Sequence, residues 1–262
     1  MLIILRSLVF NVLFYVNLAL WLVLAAFPAL LLPRRALLAV TVGWAHTALW
    51  LMRVIAGTSY EITGRENIPQ GGMIVAAKHQ SFWETFVLMM LFKDPIFILK
   101  RELTWIPFFG WCLYKFKMIP VDRGAKARAL AQVTRRAKIE LRDNHRQLLI
   151  FPEGTRRPAG AEPAYKFGVA HLYAELNLPC LPIALNSGLY WPRRKFLRRP
   201  GTIRLEILPP IAPGLNKAVF QALLQERIET TSDRLLTQGR AELARLGLDP
   251  LANTADTPRQ QA

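Results

Sequence analysis

The segment Lys78-His79-Gln80-Ser81-Phe82-Trp83-Glu84 carries a histidine and a carboxylate five positions apart. Neutral imidazole, with an unperturbed pKa of about 6.5, accepts a proton near pH 7. A carboxylate on its other ring nitrogen fixes the tautomer and stabilises the imidazolium that forms. The pair is therefore the chemistry of an oriented general base. The spacing sets a condition, because five positions along a continuous helix turn two side chains about 140° apart. His79 must lie in a loop and Glu84 in the first turn of the helix that follows. The same residues have a second reading, since Ser81-x-x-Glu84 is a capping box in which Glu84 reaches back to a backbone N–H. Taken alone, the segment favours capping; the two roles coexist if Ser81 caps by itself.

Other groups join this pair. Phe151-Pro152-Glu153-Gly154-Thr155-Arg156-Arg157 sets two guanidinium forks after a turn, a geometry suited to phosphate. Ile119-Pro120-Val121-Asp122-Arg123-Gly124 places another arginine before a helix start, and Lys100 ends a predicted strand. Ser81 lacks the G-x-S-x-G elbow of a nucleophilic serine. Neither H-E-x-x-H nor paired C-x-x-C occurs, so no metal site is expected, and no phosphate-binding G-x-x-x-x-G-K-[ST] loop is present. His46, His145 and His171 read as structural or surface residues. Trp105, Phe108, Phe109 and Trp111 either line a dry apolar groove or form core or a membrane-facing patch. The basic run Arg193–Arg199 has three readings: a solvated face, a seat on anionic lipid, or a dock for an acidic protein.

The elements that must hold these groups are strands alternating with helices. Strands are predicted at 60–64, 73–77, 96–100, 147–151, 180–185 and 202–208, and helices at 82–92, 125–142, 168–176 and 216–246. This is an α/β fold, a mostly parallel or mixed sheet flanked by helices. The loops at the carboxyl ends of its strands carry the motifs, where such sheets place their chemistry.

Ahead of this domain the chain is apolar. No charged side chain occurs from Ser7 to Leu32, a run that would form a helix of about 39 Å, enough to cross a bilayer. A second run covers Ala36–Met52, with Pro33-Arg34-Arg35 as the turn between them. The first carboxylate is Glu61. Either two crossings or a hairpin lying in one leaflet fits, and arginines at both ends leave orientation open. The expected organisation is membrane-associated helices over 1–58, an α/β domain over 59–248 and a disordered tail over 249–262. The 34 basic against 18 acidic side chains give a net charge of +16, which calls for an acidic partner. The apolar N-terminus argues for membrane lipid and against nucleic acid. With only Cys112 and Cys180, a disulfide scaffold is excluded.

Across residues 60–210 the chain resembles the bacterial 1-acylglycerol-3-phosphate acyltransferases of the glycerolipid acyltransferase superfamily. The resemblance rests on six motifs in order: H-x4-acid at His79–Glu84, K-x-E-L at Lys100–Leu103, D-R at Asp122-Arg123, F-P-E-G-T-R at Phe151–Arg156, K-x-G at Lys166–Gly168, and the proline segment Leu181–Ile183. It implies that His79 is the general base and that Glu84 orients it. It implies further that Lys100 and Arg123, with Arg156 close by, bind the acceptor phosphate, and that Glu153 and Gly154 shape the acceptor pocket. The family usually has Asp where this chain has Glu84. The implied reaction moves a fatty acyl group from an acyl thioester, acyl-CoA or acyl carrier protein, to the sn-2 hydroxyl of lysophosphatidic acid, without a cofactor. The implied place is the cytoplasmic face of a bacterial inner membrane. Another lysolipid acceptor, or a catalytically silent lipid-binding protein, is the alternative. Backbone N–H groups at the start of the helix carrying Glu84 are candidate oxyanion donors.

Overall fold

A computed structural model describes residues 1–122, 124, 126–143 and 145–248. Arg123 and the tail 249–262 lie outside the described residues. Seven strands, β1 (Thr58–Thr63), β2 (Met73–Ala77), β3 (Pro95–Lys100), β4 (Ile119–Val121), β5 (Gln147–Ile150), β6 (Cys180–Leu185) and β7 (Gly201–Ile207), form one sheet in the order β1-β7-β6-β2-β5-β3-β4. All neighbours pair in parallel except β6 and β7. Strands β2 to β6 therefore end on one edge, and β1 and β7 run the other way.

The central strand β2 shows why the sheet is covered on both faces. All five of its residues are buried, and successive side chains point to opposite sides. Ile74 and Ala76 pack with Tyr173, Phe220, Leu224 and Ile228, beneath the helices Gly168–Leu176 and Lys217–Arg245. Met73, Val75 and Ala77 join the larger core on the opposite face, with Trp83, Phe86 and the N-terminal helices.

Those N-terminal helices, Leu2–Ala29 and Arg34–Ala56, are each long and apolar enough to cross a membrane. They pack as a hairpin. A Cβ at Gly43 would come within 2.8 Å of the Trp21 ring, so the glycine permits the close approach. The hairpin is also seated on the α/β domain along its length. Phe14 contacts Phe82, Phe86 and Trp191. Arg6 donates to the Ile55 carbonyl, and Ser7 Oγ accepts from Arg198 N at 2.9 Å. At the hairpin turn Arg34 pairs with Asp94, and Lys115 Nζ donates to the Leu30 carbonyl at 3.1 Å. The outward face keeps Leu5, Val12, Val16, Leu20 and Leu24 exposed.

Candidate active site

β2 ends at Ala77, and the chain passes through Lys78–Phe82 before the helix Trp83–Leu91 begins. This break brings the two chemical groups together. His79 Nδ1 lies 2.9 Å from Glu84 Oε1, and the imidazole stacks on Phe151 with ring centroids 3.8 Å apart and planes 11° apart. Phe151 follows β5, the strand beside β2. The ring is thus held by a carboxylate at one nitrogen and an aromatic face on one side. Its Nε2 has no hydrogen-bond partner among the described residues, and the side chain stays 13% exposed.

Glu84 is placed for both roles that the sequence left open. Its Oε1 accepts from Gln80 N and Ser81 N, each at 2.7 Å, as well as facing His79. Its Oε2 accepts from Ser81 Oγ at 2.9 Å and Ser187 Oγ at 2.8 Å. Ser81 Oγ in turn accepts from Trp83 N at 2.9 Å and closes the helix start. Burial pushes the Glu84 pKa up, but the His79 hydrogen bond and charge, with the Ser81 and Ser187 bonds, outweigh it and leave it below the usual carboxylate value. The anion next to His79 is therefore stable, and the proton between them belongs on the imidazole. The expectation that the helix start supplies oxyanion donors does not hold for Gln80, Ser81 and Trp83. Their N–H groups are consumed by Glu84 and Ser81.

The remaining motifs converge on the same sheet edge. Arg157 N donates to the His79 carbonyl at 2.8 Å, tying the turn after β5 to the histidine loop. Gly154 adopts φ +66°, which shapes that turn. Arg156 is half-buried: burial lowers its pKa, the Glu84 charge opposes that, and Arg193 and Arg194 reinforce it. Arg193 braces the loop through Thr155 Oγ1 and the Arg156 carbonyl. Lys100 ends β3, two strands from β2 in the sheet order, or roughly 10 Å across. Its ammonium is half-exposed and pairs with Glu102 at 2.9 Å. Glu153 is the outlier. Its carboxylate is buried and faces Lys78 Nζ at 3.2 Å rather than the open edge. Burial raises its pKa, Lys78 works against this, and Glu229 adds to it.

The residues that motif reading missed are Ser187, Lys78 and Glu229. Ser187 is signalled faintly by the polar pair Asn186-Ser187 that ends the apolar strand β6. Of the four aromatics considered for an acyl groove, Trp105 and Trp111 are exposed. Phe108 and Trp111 contact Phe27 of the hairpin, so the patch continues the hairpin's outer face.

An acyltransferase family model matches residues 59–186. The 1-acyl-sn-glycerol-3-phosphate acyltransferase of Pseudomonas aeruginosa is 42% identical over 205 residues, covering 78% of this chain and 79% of that protein. The chain belongs to this acyltransferase family. The Saccharomyces cerevisiae 1-acyl-sn-glycerol-3-phosphate acyltransferase is 25% identical, with 86% of this chain and 76% of that protein covered. The crystal structure of the 1-acyl-sn-glycerophosphate (LPA) acyltransferase PlsC from Thermotoga maritima superposes with a TM-score of 0.74 at 22% identity, over 88% of this chain and 96% of that one. The acyltransferase fold is thus shared, including the mixed sheet and the apolar hairpin before it.

Proposed function

We propose that the protein transfers a fatty acyl group from an acyl thioester to the sn-2 hydroxyl of 1-acylglycerol 3-phosphate, yielding phosphatidic acid, with His79 as general base. The observation that carries this reading is the His79 ring, bound to Glu84 at Nδ1 and open at Nε2. Nε2 removes the acceptor hydroxyl proton as the oxygen attacks the thioester carbonyl. A C–O bond forms, the tetrahedral intermediate collapses, and the C–S bond breaks. The imidazolium then returns its proton to the leaving thiolate. Glu84 stabilises the imidazolium meanwhile. A base so placed contributes on the order of 10²–10⁴-fold. The thioester is already activated, so no cofactor beyond acyl-CoA or acyl carrier protein is invoked. Arg156, Arg123 and Lys100 supply positive charge for the acceptor phosphate.

The hairpin sits in one leaflet of the inner membrane with the site on the cytoplasmic side. Support comes from the turn, which Arg34–Asp94 and Lys115 fasten to the α/β domain. A turn fastened there cannot also lie across the bilayer. The arginine-rich, carboxylate-free N-terminal segment suits anionic headgroups.

The test is purified protein with 1-acylglycerol 3-phosphate, other lysolipids, and labelled acyl-CoA or acyl carrier protein. Labelled phosphatidic acid is expected. Transfer only to a different lysolipid would replace the acceptor, and no transfer to any would contradict the enzyme reading.

A further inference from the structure

β2 sorts its side chains into two cores, and the alternation continues past its end. Ile74 and Ala76 face the long C-terminal helix Lys217–Arg245. Lys78, next in that register, reaches Glu229 on the same helix. Val75 and Ala77 face the opposite core, and His79 follows in their register. The Lys78 ammonium is 3% exposed. It donates to Glu229 Oε1 and Oε2, both at 2.8 Å, and to Glu153 Oε1 at 3.2 Å. Tyr165 OH also donates to Glu229 Oε1, at 2.8 Å. Three N–H donors thus meet three carboxylate oxygens. Taking an ammonium out of water is costly and is tolerated only when partners are fixed in good geometry. The side chain adjoining His79 therefore has a single permitted place.

We propose that Lys78 and Glu229 are positioning residues for His79, the C-terminal helix setting the height of the histidine loop through this buried ammonium. The inference rests on the reading of His79 as base. Lys78 N also donates to the Ile183 carbonyl at 2.9 Å, so displacing its side chain must twist the short link to His79. The same helix supports the loop's other side. Asn186 Nδ2 donates to the Leu235 carbonyl at 2.9 Å, and its neighbour Ser187 donates to Glu84. One helix thereby braces both the base and the acid that orients it.

The test compares Glu229→Asp, which keeps the charge but shortens the reach by one methylene, with Glu229→Gln, which keeps the reach. Both are made in the full-length protein, with kcat, acceptor KM and thermal transition measured beside His79→Ala. Glu229→Asp is expected to lower kcat about tenfold, the scale of a small displacement at a reacting centre, with KM and the transition little changed. Glu229→Gln removes the charge and turns an amide N–H toward the buried ammonium, so it should lower the transition as well as kcat. Wild-type kcat in Glu229→Asp, or a loss of kcat that merely tracks a lowered transition in both variants, would overturn the positioning role. An active His79→Ala would instead remove the base itself, whereas a dead His79→Ala beside a wild-type Glu229→Asp would overturn this inference alone.

Discussion

At the scale of single residues, the carboxylate of Glu84 carries the most. Five donors surround its two oxygens, so a glutamine amide N–H at the Oε2 place forces the Ser81 and Ser187 hydroxyls to accept and leaves their own protons without this acceptor. Glu84→Gln should cost about 1–3 kcal/mol of stability in denaturant unfolding, because a buried donor goes unmet, and should also suppress turnover. Ser187→Ala removes one donor and should cost about 1 kcal/mol with a smaller loss of turnover, separable in the same two assays. Acid should expose the same network. The folded pKa of Glu84 is depressed, below an unfolded value of about 4.3. Its stabilisation is therefore complete above that value and is lost as pH falls through the folded pKa. Unfolding measured across acid pH should show this component in the wild type and not in Glu84→Gln. Sequence reasoning reached His79 and Glu84 through six motifs in order, since their spacing alone favoured a helix cap. It could not reach Ser187 or Glu229, whose partners lie 103 and 151 positions away. Nor could it foresee that Glu153, in a motif read as substrate-facing, turns inward to Lys78.

At the scale of elements, the hairpin and the helix carrying Glu84 form one packed unit. Phe14 is 1% exposed and meets Phe82, just before the helix carrying Glu84, and Phe86 on that helix. Phe14→Ala should cost about 3–5 kcal/mol by leaving a cavity, and should reduce turnover although position 14 is far from the chemistry in sequence. Thermal unfolding and steady-state kinetics on the same preparation check both effects. Most of these elements were legible, since β2, Gly168–Leu176 and β6 announce themselves by apolar runs or helical spacing between breakers. Ends shifted slightly: the expected helix 125–142 spans Lys126–Glu140, and the expected strand 60–64 is Thr58–Thr63. The helix Phe109–Lys115 and the three-residue β4 were not foreseen, being too short to show a period of their own. Register was beyond sequence altogether, because β6 meets β7 antiparallel only through tertiary packing.

At the scale of the whole molecule, the proposed function brings an apolar outer face and a cationic sheet edge to one membrane surface. Sequence left two crossings and a single-leaflet hairpin equally open, because a helix's length says nothing of what its turn is tied to. The fastened turn supports the second. A Leu31→Cys probe tests it, since Leu31 is exposed at the turn, while both native cysteines are buried and free. Burial also pushes the Cys112 thiol up to about 11, so little reactive thiolate competes. A membrane-impermeant maleimide should label position 31 only from the side that holds the α/β domain, and labelling from the opposite side would mean a crossing. The central claim is that an imidazole anchored by a buried carboxylate takes the acceptor's proton at this surface. The most direct measurement is acyl transfer by His79→Ala in liposomes, with its thermal transition recorded alongside. A fall in turnover on the order of 10²–10⁴-fold with an intact transition is the predicted result; turnover near wild type would contradict it.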